Sequence, residues 1–213
     1  MAISVKQLSV LFVAVLLWNV SSAQISPRVG DWWTFEVSDE RQGRSTSSDV
    51  TRKIVAIEGD LMIIDVTTRR ADGERKSRET RDMNLNVIES GNLQYRPHLD
   101  LFRMPLATGK RAFAIERLQV DSGRVVKMAG EVEVMPSQKV ATGAGEFEAQ
   151  EVIANGRYTD PKTGDSSRYQ NRAWFSSSVG FWIKQDFVER NIQDTADFIR
   201  TKVTLKKYEL QPR

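Results

Sequence analysis

Gly59-Asp60-Leu61-Met62-Ile63-Ile64-Asp65-Val66-Thr67-Thr68-Arg69-Arg70-Ala71-Asp72-Gly73 is the stretch whose pattern settles the fold class. Met62, Ile64 and Val66 alternate with Ile63 and Asp65. Successive side chains of a strand point to opposite faces, so a period of two with one apolar side marks a strand lying on a core. Gly59-Asp60 precedes the run and Ala71-Asp72-Gly73 follows it. Glycine and aspartate tolerate the positive φ angles of tight hairpins, and the unit therefore reads turn, strand, turn.

The same unit recurs in both directions from there. Trp33, Phe35 and Val37 alternate with Thr34 and Glu36, and Met83, Leu85 and Val87 with Asp82, Asn84 and Asn86. Val132 and Val134 flank Glu133, and Val203 and Leu205 flank Thr204. Asp121-Ser122-Gly123, Thr142-Gly143-Ala144-Gly145 and Asp160-Pro161-Lys162-Thr163-Gly164 supply further turns. The spacing predicts an all-β chain of about nine to eleven strands, a single antiparallel sheet curled into a partly open barrel. Residues 95–110, with Pro97, Pro105 and Gly109, interrupt the alternation. They read as an irregular crossover with a short helical turn around Leu99–Arg103, in which Phe102 and Leu106 pack inward as a plug at one end.

The first 23 residues read as a cleavable export signal. Lys6 supplies a positive start, Leu8 to Val20 is mostly apolar, and Ser21-Ser22-Ala23 offers small residues before a cut at Gln24. An apolar run of about 13 residues is short of the roughly 20 that span a bilayer. The mature part, residues 24–213, reads as one β-rich domain of periplasmic location with no later stretch of spanning length. An outer-membrane barrel is the rival, but it needs strands of about nine to eleven residues with a lipid-facing apolar side. Many runs here hold only three such positions among dense lysine, arginine and glutamate.

Composition excludes much chemistry. There is no cysteine, so disulfides and a lipid-bearing cysteine after the signal are both absent, and Gln24 stands where that cysteine would be. His98 is the sole histidine, in Arg96-Pro97-His98-Leu99-Asp100, with no glycine-flanked serine to suggest a nucleophile elbow. A histidine-pair metal site is impossible, and no cofactor fingerprint is present. Carboxylate pairs such as Asp194 with Asp197 lack the spacing logic of a glycosidic acid and base. The Asp160–Asp165 loop carries Lys162 where a calcium ion would sit. With 31 Lys+Arg interspersed among 28 Asp+Glu, the chain shows no basic cluster of the kind that binds nucleic acid.

What functional content there is lies in the aromatics. Trp32-Trp33, Trp174-Phe175 and Phe181-Trp182 are doublets, and in a strand each doublet places one ring on each face. With Tyr95, Phe102 and Leu106, the rings Trp32, Trp33, Trp174 and Trp182 are the candidates for a ligand or partner surface. The partner implied is an apolar small molecule or lipid, or an envelope protein. This makes a non-enzymatic binding or interaction domain the first expectation. An accessory subunit of an envelope assembly comes second, and a hydrolase using carboxylates or His98 third.

The central and C-terminal segments resemble the exported bacterial DUF3108-like and TapB-like families of unknown function. The resemblance rests on Asn84-Leu85-Asn86, Tyr95-Arg96-Pro97, Phe102-Arg103-Met104-Pro105-Leu106 with Gly109-Lys110, and Gly143-Ala144-Gly145-Glu146-Phe147-Glu148-Ala149. It ends on Ala173-Trp174-Phe175 and Val179-Gly180-Phe181-Trp182-Ile183-Lys184. The family shows a Phe-Pro-Leu triplet where Met104-Pro105-Leu106 stands here. The resemblance implies an exported β-rich domain with a shape like the incomplete LolA and LolB barrels, which hold acyl chains in an apolar cavity. Fold alone does not assign that role.

Overall fold

The computed structural model describes residues 26–97, 101–192 and 198–213. The export signal, His98 and Asp194 with Asp197 lie outside them. Twelve strands follow one another: Trp32–Arg41 (β1), Arg44–Glu58 (β2), Leu61–Arg70 (β3), Gly73–Asp82 (β4), Val87–Ser90 (β5), Leu93–Arg96 (β6), Gly109–Gln119 (β7), Arg124–Thr142 (β8), Gly145–Thr159 (β9), Ser166–Ser176 (β10), Phe181–Asn191 (β11) and Phe198–Glu209 (β12). Each pairs antiparallel with its sequence neighbours, and β12 returns to pair with β1. The result is a closed up-and-down barrel with no helix among the described residues.

The sequence reading is corrected in several respects, and residues 83–86, expected as part of an alternating strand, instead form the connection between β4 and β5. There are twelve strands rather than nine to eleven, and the ring is closed rather than partly open. The added strands include β5 and β6, four residues each, too short to show a period of two. Tyr95 and Arg96 belong to β6 and Gly109 opens β7, so the described part of the irregular crossover narrows to residue 97 and residues 101–108. Closure depends on β1 meeting β12 from Trp32↔Glu209 to Arg41↔Ile199, a long-range pairing that spacing cannot reveal. Residues 101–103 of the expected helical turn are irregular, and 98–100 lie outside the described residues.

The registers define one inward-facing set around the ring. Phe35 stands opposite Val50 and Leu205, Ile64 opposite Ile54 and Glu79, and Val132 opposite Ala154. The outward positions are charged and paired, for example Arg78 with Asp65 at 3.2 Å and Lys206 with Asp49 at 2.9 Å. Apolar inside and charged outside is the reverse of a barrel whose outer face meets lipid.

Packed aromatics fill the lower half of the interior, next to the turns at 59–60 and 177–180. Trp33 stacks on Phe181 at 4.4 Å, Phe35 lies 6.0 Å from Phe181, and Ile54, Met62, Ile64, Ile183 and Leu205 are fully buried around them. Trp33 donates its indole N–H to the Val179 carbonyl at 3.2 Å, tying the 177–180 turn beneath the rings.

Residues 101–106 seal this lower end. The Asn86 side chain donates to the Phe102 carbonyl and accepts from the Phe102 amide, each at 2.8 Å. The Met104 amide donates to Asn84 Oδ1 at 3.0 Å, and Gln150 donates to the Leu106 carbonyl at 3.3 Å. Asn84 and Asn86 sit between β4 and β5, whereas Gln150 belongs to β9, across the ring. The segment therefore spans the end as the expected plug, with Phe102 buried and Leu106 half-buried.

Candidate functional site

Above the aromatic floor the inward face turns from apolar to charged. Arg52 on β2 and Glu79 and Arg81 on β4 point into the barrel beside Ile54, Ile64 and Met62. The Arg81 Nε–H donates to Glu79 Oε1 in a very short contact, and its Nη1 donates to the Leu85 carbonyl at 2.6 Å. Leu85 presents that carbonyl from the left-handed region, with φ of 68°, although it is neither glycine nor asparagine. A buried residue held there costs of order 1 kcal/mol or more and persists because its surroundings over-determine it. Arg52 Nε lies 3.8 Å from the same Glu79 oxygen and has no hydrogen-bond partner. The guanidinium groups also sit over rings of the floor: Arg52 is 5.5 Å from the Phe35 centroid and Arg81 5.4 Å from Phe181.

Burial pushes the Glu79 carboxyl toward the neutral form, but the charges of Arg81 and Arg52 outweigh it and hold the group below its ordinary value. Arg52 is ringed by the barrel wall yet keeps 22% of its side-chain surface accessible. Its place on the inner wall with part of its surface accessible makes the upper interior the candidate compartment, or lumen. Other inward positions toward the upper end, including Tyr95, Phe187 and Thr201, are likewise only half-buried.

A tyrosine layer continues from the charges. Tyr158 and Tyr169 stack at 4.5 Å, Tyr169 lies 6.1 Å from Phe187, and the Arg117 guanidinium covers Tyr158 at 4.8 Å. Gly130 and Gly156 face each other across β8 and β9. A methyl group on Gly156 would fall 2.6 Å from the Tyr169 ring, so the missing side chain makes room for that ring to lie across the wall. Tyr169 is 6% exposed and its hydroxyl has no hydrogen-bond partner. Tyr95 joins the two groups: Arg117 hydrogen-bonds it, and Glu79 and Arg81 lie within electrostatic reach. Burial raises all three tyrosine pKa values, so these hydroxyls stay protonated at neutral pH.

The candidate residues from sequence separate into three places. Trp33, Phe102, Leu106, Trp174 and Trp182 come together in one cluster at the lower half and end of the barrel. Trp182 is packed 3.9 Å from Phe102 and 5.6 Å from Phe175. Trp174 faces outward between Arg172 and Lys184, 5.2 and 5.1 Å from its ring, and is nevertheless 7% exposed. Both rings of each C-terminal doublet are thus buried, because a register shift between Trp174 and Phe175 and the sealing segment add packing beyond the sheet itself. Trp32 lies on the outer face, its indole donating to Glu209 at 3.3 Å. Tyr95 alone among the seven belongs to the lumen layer. Sequence reading missed Arg52, Glu79, Arg81, Arg117, Tyr158 and Tyr169. One signal was available: Arg52 stands two residues from both Val50 and Ile54, a charge on the apolar side of its strand.

No family model and no curated protein matches the chain. Solved structures do. A candidate lipoprotein from Parabacteroides distasonis ATCC 8503 superposes with a TM-score of 0.55 at 13% identity, over 88% of this chain and 97% of that one. A candidate exported protein with a YmcC-like fold from Bacteroides fragilis NCTC 9343 gives 0.53 at 12% identity, over 88% and 99%. This chain shares their fold. The hypothetical lipoprotein YmcC of Escherichia coli aligns at 0.45 with 10% identity over 85% of each chain.

Proposed function

We propose that this protein is an exported, non-enzymatic binding domain of the bacterial periplasm whose barrel interior is the binding compartment. The observation that carries this reading is a charged and tyrosine-lined layer inside a barrel sealed at its lower end. A fold stabilised by its core alone has no need of three arginines facing inward, since burying charge costs several kcal/mol per ion before pairing offsets it. The likeness to exported proteins and lipoproteins, together with the signal-like first 23 residues, supports the location. The packed floor occupies the part of the interior where a long acyl chain would lie. The ligand therefore meets the upper half, and a lipid-like ligand would present its polar end there.

The test is purification from the native envelope under non-denaturing conditions, followed by mass spectrometry of released small molecules. N-terminal sequencing of the same material should begin at or within a residue or two of Gln24. A mature protein that carries nothing, and whose thermal midpoint no fraction of an envelope extract raises, would sink the reading.

A further inference from the structure

We propose that the lumen layer formed by Tyr95, Arg117 and Tyr169, with Arg52 beneath it, binds the anionic group of a small ligand, a carboxylate or a phosphate. This deepens the lumen reading above by naming what the compartment recognises.

Charge comes first. Arg52, Arg81 and Arg117 stand on the inward face with Glu79 and Glu189, and Asp39, which accepts from Thr201, stands there too. The two ions held most firmly are already matched to each other, because Glu79 is taken by Arg81 and Arg81 spends a second donor on Leu85. Arg117 is left covering the Tyr158 ring and hydrogen-bonding Tyr95, and Arg52 reaches Glu79 only at 3.8 Å. A guanidinium fork is suited to a two-pronged carboxylate contact, whereas Arg117 lies over a ring and Arg52 stands 3.8 Å from its carboxylate.

Unmet donors come second, and they are independent of the charge count. Arg52 Nε and the Tyr169 hydroxyl are buried without partners. A buried polar group left unsatisfied costs about 1–3 kcal/mol, and such groups are a minority in folded proteins. Both stand on the inward side of the wall, Arg52 opposite Val66 and Tyr169 opposite Gly156, and each carries a proton without an acceptor. The tyrosine hydroxyls donate too, since burial keeps them neutral. A cation would meet the guanidinium groups of Arg52 and Arg117, and a neutral sugar would leave their charge as it stands. An anion with several acceptor oxygens answers both features.

The experiment is titration calorimetry of the mature chain with inorganic phosphate, glucuronate and glucose at low salt. Binding of phosphate, of glucuronate or of both supports the proposal and tells a phosphate-bearing ligand from a carboxylate-bearing one. Arg117→Gln and Tyr169→Phe should each weaken that binding about tenfold or more, as expected for hydrogen bonds to a charged group. Tyr169→Phe keeps the stacked ring and removes only the unpartnered hydroxyl. Its ligand-free thermal midpoint should therefore be no lower than that of the parent, which separates lost recognition from lost folding. The proposal is overturned if neither anion binds more tightly than about 10 mM, if glucose binds as well as glucuronate, or if both variants bind like the parent. A neutral molecule recovered from the native protein together with no anion binding would overturn this inference and leave the lumen reading standing.

Discussion

Glu79 sets the balance of charge inside the barrel, and its environment gives a pH dependence of definite sign. Burial opposes its ionisation, while Arg81 and Arg52 favour it and prevail. A carboxyl whose folded-state pKa is depressed stabilises the protein above its unfolded value of about 4.3, and that contribution is lost as pH falls through the folded value. Urea denaturation between pH 7 and pH 3 should show stability falling on the acid side, and Glu79→Gln should flatten that limb. At neutral pH the same variant leaves two inward guanidinium groups without their shared counter-charge, which costs about 3–5 kcal/mol for a buried pair broken on one side. A Glu79→Gln protein as stable as the parent at pH 7 would show that lumen water, not the carboxylate, satisfies these arginines. Packing gives a second prediction at this scale. A methyl group on Gly130 would meet the Asn155 carbonyl oxygen at 2.1 Å, and backbone cannot swing aside as a side chain can. Gly130→Ala should lower the denaturation midpoint by the equivalent of about 1–3 kcal/mol. Gly143→Ala, whose nearest neighbour is 3.3 Å away, should cost less.

At the scale of elements, the segment that seals the lower end depends on Asn86 more than on its own residues. Asn86 is 1% exposed, and beyond its two bonds to Phe102 its amide donates to Asp82 Oδ2 at 3.0 Å. Asn86→Ala removes both ties and strands the Phe102 amide and carbonyl, at about 1–3 kcal/mol for each group left unsatisfied. The segment should then detach before the barrel unfolds, seen as faster amide exchange at 101–106 and a rise in apolar dye fluorescence at unchanged far-ultraviolet dichroism. Cooperative loss of the whole barrel instead would mean that the seal and the ring are one folding unit. What could be seen from sequence divides along the same line. The strand pattern at Met62–Val66 and the plug role of Phe102 and Leu106 are local properties, visible as alternation and as its interruption. The pairing of the two C-terminal doublets was also local, and Phe175 does stand opposite Trp182. The four-residue β5 and β6 hold too few positions for a period to appear. The lumen layer draws one or two residues from each of β2, β4, β6, β7, β9, β10 and β11, so only the register of the whole ring assembles it. The tryptophans drew attention because a large ring is costly to expose. The arginines did not, because arginine on a strand ordinarily faces water.

For the molecule as a whole, the seam between β1 and β12 decides whether there is a barrel at all. Every other pairing joins strands adjacent in sequence, whereas this one brings together residues more than 150 positions apart. A charged anchor holds it at the lower end. Asp31 is fully buried and accepts from the Arg28 amide at 2.9 Å, from the Gln211 amide at 2.7 Å and from Arg213 Nη2 at 3.1 Å. Arg28 and Arg213 reach in opposite directions across the seam, to the Pro212 and Ser26 carbonyls. Without a disulfide to shorten the unfolded chain, closing this loop carries its full entropy, which grows only slowly with loop length but is not recovered until the last strand docks. Asp31→Ala should therefore act mainly on the seam, costing about 1.5–3 kcal/mol for the charge-assisted bonds it breaks. Amide exchange should accelerate first in β1 and β12 while β8 and β9, the most extensively paired hairpin, stay protected. Because the lumen needs a closed wall, any anion binding should weaken in the same variant under conditions where the seam opens, and recover when low temperature or an excluded osmolyte closes it. Uniform exchange across all twelve strands in Asp31→Ala would show that the ring has no weak seam and that closure is as firm there as at any hairpin.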